Sequence, residues 1–194
     1  MKKSFIILGV VFVLSACTSD VEKMAKNYEK HHLNISYLDH YASGVLNDSS
    51  ALRIEINKIG KLSMFACAVP GERDFKWYDD DYKTIMPSID LTQNELDSLI
   101  LLLKQSKCIG LNIYYGTTYD IWYSRPRWGF DLYSYILLNE SMSDSVWNSW
   151  LDYSAAIPYC DTVVFLHGGP AFGTDDIPKR DKKNFLKKHN IERR

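Results

Sequence analysis

The hydrophobic residues of this chain change period at Ala51, and that change limits the fold more than any single motif does. Before it, Val21, Met24, Ala25, Tyr28 and His32 fall at helical intervals behind a Ser19 and Glu22 pair with capping-box spacing, which predicts a helix from about Asp20 to His32. After it, Leu52, Ile54 and Ile56 alternate with Arg53, Glu55 and Asn57; Lys58 to Lys61 supplies a turn around Gly60, and Leu62 to Val69 is a second apolar run closed by Pro70-Gly71. That is a hairpin pattern. A helix from Ser49 to Ile59 also fits a 3.6-residue period, but Gly60 and the β-branched residues favour strands.

Further along, Thr92-Gln93-Asn94-Glu95 is the clearest capping box of the chain, and Leu96, Leu99, Ile100 and Leu103 follow on one face with Leu91 as a staple residue. Cys108 to Tyr115, Tyr119 to Ser124 and Phe130 to Leu138 read as strands, Ser143 to Tyr153 as a short helix, and Thr162 to Leu166 as a final, wholly apolar and therefore central strand. Glu72 to Ser88 reads as a loop or edge excursion. Neighbours in sequence usually pair in space, so the expected fold class is α+β: a mainly antiparallel sheet (hairpin, helix, meander, final central strand) with helices packed on one face.

Upstream of all this, Lys2 and Lys3 precede an apolar run from Phe5 to Leu14, followed by Leu14-Ser15-Ala16-Cys17. Ten residues make about 15 Å of helix, half a hydrocarbon core, so the run is too short to span and has the form of an export signal. Its last four residues resemble the lipobox of bacterial lipoproteins. The resemblance covers only this segment and implies cleavage before Cys17, acylation of its thiol and, with Thr18 instead of aspartate next, an outer-membrane destination. Two or more acyl chains make a firm anchor. The expected organisation is a signal peptide at 1–16, a lipidated N-terminus and helical arm at 17–45, one α+β domain at 46–178 and a basic tail at 179–194. The arm either packs on the domain or stands as a stalk.

The net charge of -1 hides an asymmetry, because residues 179–194 hold eight Lys or Arg against Asp181 and Glu192, a net of +6. Removing Lys2 and Lys3 leaves -3 for residues 17–194, so residues 17–178 carry -9. An acidic, exported body is a poor match for nucleic acid, and none is expected as a partner. The basic tail reads as a solvated, frayed helix, with contact to anionic lipid headgroups beside the anchor as the alternative. Beyond Cys17 the thiols are Cys67, Cys108 and Cys160; an oxidising compartment would allow one bridge, and Cys108 with Cys160 is the pairing considered. No zinc-ribbon, P-loop, dinucleotide or H-E-x-x-H spacing occurs, so no metal or other cofactor is expected. His31, His32 and His40 read as partly exposed histidines, and Asp79 to Asp81 as a solvated acidic turn.

Two stretches carry chemistry. His167-Gly168-Gly169-Pro170 partly matches the oxyanion segment of lipases and esterases, but the chain has no G-x-S-x-G elbow, and a glycine-rich turn leaving a strand is the plainer reading. The aromatic cluster from Tyr114 to Tyr135 is the other. Alternation sets Tyr119, Ile121 and Tyr123 on one face and Asp120 and Trp122 on the other, so Trp122, with Arg125, Arg127 and Trp128 in the following loop, is the expected contact group. The expected function is a membrane-anchored envelope lipoprotein acting as a non-enzymatic binding or scaffolding module for a protein, peptide or glycan. The alternative is an envelope hydrolase using His167 with Asp161, Asp175 or Asp176.

Lipidation at Cys17 has a direct check: Cys17→Ala should release the protein from membranes or leave it as uncleaved precursor. An unmodified Cys17 found by mass spectrometry in the mature wild-type chain would rule acylation out.

Overall fold

The structure is a computed structural model that describes residues 18–46, 48–72, 74–79, 81–125, 132–168 and 176–194. It is an α+β fold built on an eight-stranded antiparallel sheet. The strands are β1 (Ala51–Ile56), β2 (Leu62–Ala68), β3 (Lys76–Tyr78), β4 (Gly110–Tyr114), β5 (Thr117–Ser124), β6 (Tyr133–Leu137), β7 (Ala156–Cys160) and β8 (Val163–His167), in the order β3-β2-β1-β4-β5-β6-β8-β7. The helices are α1 (Asp20–Ala42), α2 (Tyr82–Ile85) continued by a 3-10 turn (Met86–Ile89), α3 (Gln93–Ser106), α4 (Asp144–Asp152) and α5 (Lys179–Lys188).

One cross-strand row shows why the sheet closes on the helices. Tyr78, Phe65, Ile54, Leu111, Ile121, Tyr135, Phe165 and Ile157 are register partners from edge to edge, and all but Tyr78 are buried. Such a row is apolar on every strand, so it has to be covered. α1 and α3 cover it, packed on each other. Tyr135 fixes α1 on the sheet: its hydroxyl donates to the Met24 carbonyl at 2.9 Å and accepts from Asn27 Nδ2 at 3.2 Å. The Thr92 and Glu95 capping box forms in full, and Ser19 caps α1 by accepting from the Glu22 N–H.

Several expectations change. α1 does not end near His32 but continues to Ala42, because Ile35, Leu38 and Ala42 extend the buried stripe begun by Val21, Met24 and Ala25. The arm is therefore packed. β7 is a strand beyond those the sequence predicts; it contains Pro158, which an edge strand tolerates. β8 is interior, paired by β6 on one side and β7 on the other. The basic tail is packed and not frayed: Phe185 is fully buried against Phe165 and Tyr159, Lys188 pairs with Glu22 at 2.6 Å, Arg194 lies 3.7 Å above the Trp147 ring, and Ile191 is buried. The bridge between Cys108 and Cys160 is excluded, since β4 and β7 are four strand spacings apart, about 19 Å, against a limit of about 7 Å. All three described cysteines are free, and burial pushes Cys67 up to about 11 and Cys108 up to about 12.

The packed tail makes a prediction. Phe185→Ala should cost roughly 3–5 kcal/mol in urea denaturation. A change near zero would return the tail to the solvent.

Candidate functional site

The opposite face of the sheet is the unusual one. The next row across it is Trp77, Ala66, Arg53, Asn112 and Asp120, on β3, β2, β1, β4 and β5. Beside it runs Met64, Glu55, Gly110, Trp122, Ser134, Leu166 and Ala156. Arg53, Asn112, Asp120, Trp122 and Ser134 are all buried. A charge in that position needs partners. Arg53 Nε donates to Asn112 Oδ1 at 2.7 Å, Asn112 Nδ2 donates to Asp120 Oδ1 at 2.6 Å, and Arg53 Nη2 donates to the Tyr114 hydroxyl at 3.3 Å. Asn112 thus relays one buried charge to the other. The Arg53 guanidinium also lies 4.6 Å above the Phe75 ring, a cation–π contact that replaces water on that side.

Trp122 is therefore corrected. It faces away from Ile121 as alternation requires, yet it is 2% exposed, because Arg125 and Arg53 sit 5.3 and 5.9 Å from its ring centre and shield it. Gly110 lets the indole lie this close: a Cβ there would stand 2.6 Å from Trp122 Cε3 and 2.4 Å from the Ile54 carbonyl oxygen. Tyr119 is corrected as well. A register shift between β4 and β5 turns it out of the core face, and half exposed it packs against Tyr114 at 5.5 Å. Arg125 holds Glu55 in a two-pronged pair, Nε to Oε1 at 2.9 Å and Nη2 to Oε2 at 2.8 Å, with both side chains mostly shielded. Of the four expected contact residues, then, Trp122 and Arg125 do meet, with Trp122 as floor; Arg127 and Trp128 lie outside the described residues, as does Cys17.

Glu55 leads to a cavity that no motif in the sequence marks. A cleft of about 680 Å³ opens at the β1, β2 and β3 corner, walled by Glu55, Lys61, Ser63, Trp77, Asp79 and Tyr82. Trp77, which lines it, is 57% exposed. β3 pairs only with Phe65 to Cys67, so among the described residues no strand covers the outer edge of Leu62 to Met64. The available signal was the Trp77-Tyr78-Asp79 run itself, aromatic and acidic residues in a segment with too few apolar positions to be core.

The His167 segment looks different. Its ring is buried, stacks on Tyr133 at 4.3 Å and meets the main-chain oxygen of Asp176 at 3.3 Å through Nδ1. The Asp176 carboxylate instead accepts from Ser154, and Asp161 pairs with Arg194. Gly169 and Asp175 lie outside the described residues. Among the described residues no group of three or more His, Cys, Asp or Glu side chains is placed to hold a metal ion. No helix among them is long and apolar enough to cross a membrane. Comparison of the chain with protein-family models, with curated proteins and with solved structures gives no match.

Burial raises the Asp120 carboxyl to about 6, against the opposing influence of Asn112, Ser134, Trp122 and Arg53; among the described residues its Oδ2 makes no well-formed hydrogen bond. A folded pKa above the unfolded 3.8 gives a contribution fully present below that value and lost as pH rises through about 6. Wild type should therefore lose up to roughly 3 kcal/mol relative to Asp120→Asn between about pH 4 and pH 7. Denaturant titrations of both proteins across that range check this; parallel curves would contradict it.

Proposed function

We propose that this protein is a lipid-anchored binding module of the bacterial cell envelope, acting without catalysis, and that the Trp77 cleft receives a glycan of that envelope. The lipobox-like Leu14 to Cys17 supports the anchor and an outer-membrane location. The observation that carries the binding reading is an exposed tryptophan, Trp77, lining a cleft walled also by Glu55, Asp79, Lys61 and Ser63. Sugars present apolar C–H faces that stack on aromatic rings and hydroxyls that bond charged and hydroxyl side chains, and this wall offers both. The Arg125 and Glu55 pair keeps one wall fixed before a ligand arrives, which lowers the cost of ordering it.

A second occupant has one specific observation in its favour. The uncovered edge of Leu62 to Met64 would accept an extended peptide as an added strand. The hydrolase alternative has less support, because the described contacts of His167 are those of a packed side chain and the cleft lies at the far side of the sheet from β8.

Soluble envelope glycan fragments titrated against the mature protein should quench tryptophan fluorescence saturably. Trp77→Ala should weaken binding by roughly thirtyfold, an anchor-sized effect of about 2 kcal/mol, and shift stability by no more than about 0.5 kcal/mol. Binding unchanged by Trp77→Ala would sink the cleft as the site; binding of extended peptides and not of glycan would transfer it to the strand edge.

A further inference from the structure

A second surface lies on the helical side, away from the cleft. The outward stripe of α1, opposite its buried Val21, Met24, Ala25, Ile35 and Leu38, carries Lys23, Lys26, Lys30, Leu33 and Tyr37. No carboxylate falls on that stripe, and of its lysines Lys23 is paired with the flanking Asp20 at 2.8 Å, which leaves Lys26 and Lys30 as its central cations. Its two large apolar members are unusually bare, Leu33 74% and Tyr37 58% exposed. α5 lies against α1, with Lys188 and His189 both on Glu22 in the first turn of α1, and its exposed Arg180, Lys183 and Lys187 recur at helical spacing. The acids on the α5 flank of the stripe are engaged: Glu22 by that pair and Glu29 by the Tyr159 hydroxyl at 2.7 Å. Toward α3 the neighbouring charge is Lys107, close enough to act on His31. In a chain whose residues 17–178 carry -9, the outward stripe of α1 holds lysines and no acid.

We infer that this face docks on the anionic phospholipid leaflet in which the chain is anchored, an inference that rests on the lipidated-Cys17 reading. Two independent features choose the occupant. One is position: α1 begins at Asp20, three residues after Cys17, so the anchor holds the start of the cationic stripe at the headgroups. The other is composition: lysines interspersed with an exposed leucine and tyrosine match an interface, where cations meet lipid phosphates and the apolar groups enter the acyl boundary. The acidic remainder is repelled by the same leaflet, which orients the domain. α1 is 23 residues, about 34 Å, and would lie along the surface with Trp77 on the opposite face of the sheet.

The test separates docking from anchoring by using the unacylated chain from Thr18 to Arg194, which holds every described helix and strand. Flotation with phosphatidylcholine vesicles, with and without phosphatidylglycerol, should show binding only to the anionic vesicles, abolished by high salt. Lys26→Gln with Lys30→Gln should weaken it roughly thirtyfold, from about fivefold per surface lysine. Leu33→Ser should weaken it in both low and moderate salt, whereas Lys61→Gln at the cleft should leave it unchanged. Equal binding to neutral and anionic vesicles, no binding to either, or a charge-independent gain in mass marking self-association would overturn the inference. Mass spectrometry of the Cys17 peptide from the full chain reports on acylation separately, so failure of either reading is visible alone.

Discussion

Burial of Arg53 is the constraint on which the rest of this structure depends. A half-covered antiparallel sheet can leave its second face in water, but here β1 sends a guanidinium into that face and closes it over. The charge is tolerable only because Asn112 and Asp120 follow it across β4 and β5 in register, and because Tyr114 and Phe75 complete its surroundings. A slip of one residue between β1 and β4 would move Arg53 into the apolar face and Ile54 into the polar one. The polar row therefore specifies register as strongly as the apolar row behind it.

The cleft is a consequence of the same strand. Glu55 follows Arg53 at the next position on that face, and Arg125, leaving the end of β5, crosses Trp122 to reach it. Three layers result: Gly110 below, the Trp122 indole above it, and the ion pair on top. The wall of the cleft is thereby tied to the sheet interior, whereas Trp77 stands on a three-residue edge strand and is free to meet a ligand.

How much of this was legible in the sequence depended on where each covering group came from. The hairpin, the α3 capping box and the meander are local patterns, and they read correctly because turn chemistry and period act within a few residues. The sequence shows only the first part of α1 because Leu33 and Tyr37, apolar but exposed, blur the stripe that Ile35 and Leu38 continue. α5 reads as solvated in the sequence because its charges outnumber the single buried Phe185 that docks it. Alternation gives Trp122 its face but not its burial, since Arg53 and Arg125 come from separate segments and no window of sequence shows them meeting over the indole. Trp77 was visible only as an aromatic in an irregular segment; its cleft exists because β3 stops after three residues.

The central claim is that Arg53 and Asp120 act as one buried unit through Asn112. A double-mutant cycle with Arg53→Met and Asp120→Asn, read by urea denaturation at neutral pH, measures it most directly. The structure predicts a coupling of about 1–3 kcal/mol, as for groups sharing one hydrogen-bond network. Additivity within about 0.3 kcal/mol would show two independent side chains and contradict the account.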